Sequence, residues 1–151
     1  MPAPINAEQF VERLKALASP EQAKGYAGYF KTGAGEYSEG EVFMGVGMGQ
    51  VFALAKEAID LGLDAIEQLL ESPVHEVRVG AVSIMDWQAR RKKTPPAQRK
   101  ALFELYLRRH DRINNWDLVD RAAPFVVGGY LFDKPRDILY QLARSPNLWE
   151  R

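Results

Sequence analysis

The chain of 151 residues contains no cysteine. That excludes a disulfide framework and any thiolate metal site, and it is compatible with a reducing cytoplasm, the expected localisation. Histidine is scarce as well. His75 and His110 are too few and too far apart in the chain for a histidine metal centre, so chemistry without a metal or other cofactor is expected. No run approaches the roughly 20 apolar residues that cross a bilayer, and the opening MPAPINAEQF has no signal-peptide pattern. No membrane partner is therefore expected. Nor does any segment alternate apolar and polar residues as a half-buried strand would. Net charge is also missing, with 20 Lys/Arg set against 20 Asp/Glu.

The balance is uneven along the chain. Residues 88–112 carry Arg90, Arg91, Lys92, Lys93, Arg99, Lys100, Arg108, Arg109 and Arg112 against only Glu104 and Asp111, a net +7. Residues 51–87 carry a net −5. Such separation suits a protein with one face toward a polyanion, although a solvated helix surface would read the same way. The run Arg90, Arg91, Lys92, Lys93 is the candidate phosphate contact. A basic patch supplies affinity for phosphate, not recognition of a base.

What the chain does contain is helical periodicity from end to end. Asn6 precedes Phe10, Val11, Leu14 and Leu17, an amide cap followed by apolar residues at helical spacing. Ser19-Pro20 starts a second helix, which carries Tyr26, Tyr29 and Phe30. Further stripes run from Val51 to Ile59, Leu63 to Leu70, Val74 to Trp87, Leu102 to Tyr106 (with Arg99, Lys100 and Arg108 outward) and Ile138 to Leu142. Met85 and Trp87 read as core. A weak repeat relates Leu69–Arg78 to Leu142–Arg151, each with a Ser-Pro joint, and Leu17–Pro20 echoes both. Second helices near 74, 114 and 147 give spacings close to the roughly 40-residue period of helix-pair repeats. The fold class is all-α, a HEAT-like helical-repeat solenoid forming a single domain over residues 1–151.

Six of the twelve glycines fall between Gly33 and Gly49. The alternation of Gly45, Gly47 and Gly49 is only a weak phosphate-loop signal, because no Lys-Ser/Thr follows the run and no strand precedes it. A loop leading into the next helix is the better reading, with its N–H groups available to a phosphate.

Asn114-Asn115-Trp116-Asp117-Leu118-Val119-Asp120 holds the candidate chemistry. Asn114 or Asn115 caps a helix, and Trp116 and Asp120, four apart, share one face. Asp117 lies in the first turn with Arg121 at i+4 as an ion-pair partner. Asp120 has no cation three or four residues away. An unpaired carboxylate beside an indole is either a solvated aspartate or a reacting group.

INNWDLVDRAAPFVVGGYL, with FKTGAGEYSEGEVFMGV upstream and SPNLWER at the end, resembles the AlkD-like family of alkylpurine DNA glycosylases, in the same order and from about Pro20 onward. The resemblance implies HEAT-like repeats curved around duplex DNA and removal of cationic N3- and N7-alkylated purines, without cofactor. It gives Asp120 the role of stabilising the oxocarbenium-like sugar and orienting water. It places Trp116 against that sugar and Tyr29 in the DNA-facing concavity. The partner it implies is double-stranded DNA containing alkylated purines. The chain departs from the family at Gly47-Met48-Gly49-Gln50-Val51, where a proline and a basic residue are usual. It also ends at Arg151, one residue before an active-site arginine that follows NLWER in the family. The resemblance thus covers the N-terminal portion of the family's domain, and an uncapped last repeat would offer apolar surface for self-association. The alternative is a non-catalytic HEAT-like DNA- or protein-binding module. A nucleotide-binding enzyme built on the glycine run is the third reading.

Overall fold

A computed structural model describes residues 5–151, whose regular elements are helices, with no strand among those residues. The helices are α1 (Ala7–Ala16), α2 (Pro20–Tyr29), α3 (Met48–Glu57), α4 (Leu63–Leu70), α5 (His75–Arg90), α6 (Pro96–Arg108), α7 (Trp116–Ala122), α8 (Gly129–Leu131) and α9 (Asp137–Ala143). The helices pack as a HEAT-like all-α assembly. The expected starts are in place. Asn6 closes a capping box with Gln9 at the head of α1, and the Ser19 hydroxyl accepts from the Gln22 N–H at the head of α2.

The centre of the molecule is α5, with α3, α4, α6 and α7 all packed against it. Val77, Val79, Ala81, Val82, Ile84 and Met85 are buried, and Gly80 lets the Phe10 ring of α1 lie against the helix. A Cβ at Gly80 would come within 2.5 Å of that ring. The buried polar residues of α5 end on neighbouring elements. Gln88 donates from Nε2 to the carbonyls of Ile59 and Leu61, both at 2.8 Å, closing the end of the α3 segment. Buried amides and carboxylates must find such partners, so they fix where the neighbours lie as well as adding stability.

Glu76 does the same for the glycine-rich loop. Its carboxylate accepts the backbone N–H groups of Met44 (3.0 Å), Gly45 (2.6 Å) and Val46 (3.0 Å). Of the glycine run expected to offer N–H groups to a phosphate, Gly45 is thereby taken by the protein's own anion, while no side chain caps the head of α3 at Gly47. Gly45 has φ +87°, and a Cβ there would fall 1.9 Å from the Ser19 carbonyl oxygen. Only glycine fits that crossing.

Two other sequence expectations change. Arg99 does not point outward: it folds back to donate to the carbonyls of Thr94 (3.1 Å), Arg91 (2.8 Å) and Ala89, which closes the C-terminal end of α5. At the other end, residues 146–150 make turns rather than a further helix, and no residue of α9 is buried.

Between α7 and α8 the helix widens into a π segment, Ala123–Gly128. Pro124 explains it. Proline has no N–H to give the Asp120 carbonyl, and its ring would strike that carbonyl in a regular α-helix. The widened turns keep the chain helical past Asp120 while Val126 and Val127 remain buried.

Candidate active site

Asn115, not Asn114, caps α7. Its side-chain oxygen accepts the Trp116 N–H at 2.9 Å, and its amide donates to the Ser38 hydroxyl at 2.6 Å. Asn115 is fully buried and Ser38 nearly so. The glycine-rich segment therefore supplies a side chain that fixes the head of the candidate helix.

Trp116 is 36 % exposed, with one face covered. Phe30 stacks on it at 5.3 Å between centroids and 23° between planes, and Tyr29 meets it edge-on at 5.9 Å. Tyr26, Tyr29, Phe30, Met48, Phe52 and Trp116 form an aromatic and apolar hollow of about 390 Å³. Asp117, Asp120 and Arg121 complete its rim. Asp120 also borders a second hollow of about 590 Å³ on the side of α6, α9 and the C-terminal turns, which Tyr106, His110 and Trp149 help line. Burial and, after it, the Asp120 charge push the Tyr106 phenol up. Asp120 is exposed and forms no ion pair among the described residues. Trp116, Tyr29 and Asp120 are thus gathered at one place.

The Asp117–Arg121 ion pair expected from their spacing does not form. Asp117 is turned inward, with Oδ2 2.6 Å from His75 Nε2, and Arg121 is directed to Asp86 at 3.6 Å. His75 is fully buried, and its Nδ1 lies 3.3 Å from Glu41 in an ion contact. Glu41 also pairs with Arg78 at 2.5 Å. Burial alone would drive the imidazole pKa down, but Asp117 and then Glu41 outweigh it and raise it to about 9. Burial would likewise raise the Glu41 carboxyl, whereas His75 and Arg78 hold it below its usual value. Sequence reading missed this group because its members lie 34 to 76 positions apart. The one local signal was a histidine following Ser72-Pro73-Val74, at the start of an apolar helix.

The basic run divides. Arg90 pairs with Asp86 at 3.0 Å and lies over Trp87 (4.7 Å) and Phe125 (5.1 Å). Arg121 covers Phe52 at 4.1 Å and reaches the same Trp87 ring. Arg90 is thereby joined through Asp86 to the rim of the aromatic hollow. Burial pushes the Asp86 carboxyl up, and Arg90 and Arg121 draw it back. Trp87 itself is half-buried under these cations and Lys56, rather than enclosed in the core, while Met85 is fully buried. Arg91 turns away to Asp60 at 2.7 Å. Lys92 and Lys93 are exposed and form no ion pair among the described residues. Arg108 and Arg109 neutralise Glu67 of α4, at 3.0 and 3.1 Å. Much of the sequence's charge separation is therefore resolved inside the molecule.

No helix among the described residues is long and apolar enough to cross a membrane. No curated protein and no solved structure matches the chain. The model of one protein family, described as DNA alkylation repair enzyme, matches residues 10–151. With nearly its whole length covered, the chain belongs to the DNA alkylation repair enzyme family.

Proposed function

We propose that the protein is a monofunctional DNA glycosylase that hydrolyses the N-glycosidic bond of cationic N3- or N7-alkylated purines in duplex DNA. The observation that carries this reading is the shared position of Trp116 and Asp120 on the rim of an aromatic hollow, with Asp120 free of any ion pair among the described residues. Departure of the base leaves positive charge on the sugar. A carboxylate beside that sugar stabilises the charge and orients the attacking water. The Trp116, Tyr29 and Tyr26 faces favour a cation and suit a positively charged base or the developing sugar cation. A cationic purine leaves as a neutral base, so the reaction needs no strong general acid. Arg90, Arg91, Lys92 and Lys93 are assigned to backbone phosphates, with Lys92 and Lys93 the most accessible.

The test is release of base from duplex DNA carrying N7-methylguanine, measured at low salt beside the Asp120→Asn variant. Release that is lost in the variant, with its helical circular dichroism unchanged, supports the assignment. Full activity in the variant overturns it. Salt-dependent duplex binding with no release from the unaltered protein would instead mark a non-catalytic binding module.

A further inference from the structure

We propose that the buried Glu41–His75–Asp117 relay is a positioning device for this site: an imidazolium held between two carboxylates fixes the first turn of α7, and with it the Trp116 ring and the Asp120 carboxylate. The proposal rests on the glycosylase reading for its effect on activity, but its effect on Trp116 can be read without activity.

Three features of the geometry carry it. Asp117 depends on His75: its Oδ2 is bound at 2.6 Å, and its buried Oδ1 has no hydrogen-bond partner among the described residues. Asp117 directly follows Trp116 and lies three residues before Asp120, so its anchoring sets the rotation of α7 about its axis. A second line of contact runs through Phe30, whose ring lies 5.0 Å from the His75 ring and 5.3 Å from the Trp116 indole. His75 therefore reaches Trp116 both along the chain and through a buried aromatic side chain.

The relay also requires the charged form of the ring. Nε2 is hydrogen-bonded to Asp117, whereas Nδ1 lies 3.3 Å from Glu41 in an ion contact without a hydrogen bond, and a neutral ring would lose the charge that both carboxylates face. Glu41 faces it from the loop and Asp117 from α7, while the Phe30 and Phe43 rings cover it. On its own helix, Arg78 is paired with Glu41 and lies 3.5 Å from the Asn114 side-chain oxygen. Glu76 is turned to the N–H groups of residues 44–46. When the ring loses its proton, Glu41 still has Arg78 as a cation, whereas Asp117 loses the charge it is paired with.

Asp117→Asn tests this, because asparagine keeps the shape and an acceptor oxygen while removing one of the two charges. The ring resonances of His75 and the indole N–H of Trp116 are followed by NMR as pH is raised. The expected result is one shared midpoint, near 9 in the unaltered protein and lower by about one unit or more in the variant. Base release at saturating enzyme should then be nearly level from about pH 7 to 8.5 in the unaltered protein. In Asp117→Asn it should fall by roughly fourfold or more over that range, with duplex affinity little changed. Glu41→Gln provides a second variant with the same expected direction. A Trp116 resonance that ignores the His75 titration, or a variant midpoint that does not move, overturns the proposal. Shared midpoints together with no base release from any form would support the relay and refute the glycosylase reading.

Discussion

At the scale of single residues, two aspartates three positions apart have opposite fates. Asp117 is drawn inward by a buried histidine, and Asp120 stands on the rim of an aromatic hollow with no ion-pair partner among the described residues. Replacing Asp120 with Asn is expected to lower base release by about 100-fold or more, the scale on which removal of one charge-stabilising group is felt. Thermal unfolding of that variant should match the unaltered protein, since an exposed, unpaired carboxylate contributes little to the fold. His75 leads to a pH prediction with a definite sign. Its folded pKa of about 9 lies above the ordinary value of 6.5, so its stabilisation is full below about pH 6.5 and is lost as pH rises through about 9. Melting temperature measured across that window should fall, and the fall should shrink in Asp117→Asn.

At the scale of elements, α5 and the loop between α2 and α3 position the site from outside it. The loop supplies Ser38 to the Asn115 cap and Glu41 to His75. Glu76 of α5 holds the loop in turn by three backbone N–H groups. Glu76→Gln should cost about 1–3 kcal/mol, because a neutral amide replaces a charge-assisted acceptor and its NH2 faces donors in a buried place. Denaturant unfolding of the variant measures the loss, and duplex base release should fall with it as the head of α7 loosens. Gly80→Ala tests a different contact. The added methyl meets the buried Phe10 ring, and overpacking of this kind costs roughly 1–3 kcal/mol. An unchanged midpoint of unfolding would show that α1 shifts freely against α5.

At the scale of the whole molecule, the charge separation along the sequence is partly consumed by folding. Arg91, Arg108 and Arg109 meet Asp60 and Glu67, whereas Lys92 and Lys93 remain unpaired among the described residues. Duplex affinity is therefore expected to respond more to Lys92→Ala with Lys93→Ala than to Arg91→Ala. If both lysines contact phosphates, the double variant should bind all sequences more weakly and reduce the salt slope by about 2. Affinity measured against salt concentration decides this, and an unchanged slope would remove these lysines from the interface.

The sequence by itself determined most of the helices, because capping residues and apolar spacing act within a few positions; it did not give the turns at 146–150 or the π segment Ala123–Gly128. It determined the all-α class and the face shared by Trp116 and Asp120 for the same reason. The family was legible in the three segments around Phe30, Asn114 and Ser145, and the match over residues 10–151 agrees with it. Tertiary structure decided which charges meet. The spacing of Asp117 and Arg121 favoured an ion pair worth only a few tenths of a kcal/mol on an exposed helix, and a buried imidazolium 42 positions away displaced it. It also decided that Glu76 takes up the N–H groups of residues 44–46. Local rules could not supply either outcome, since burial strengthens interactions between groups that the chain brings together only when it folds.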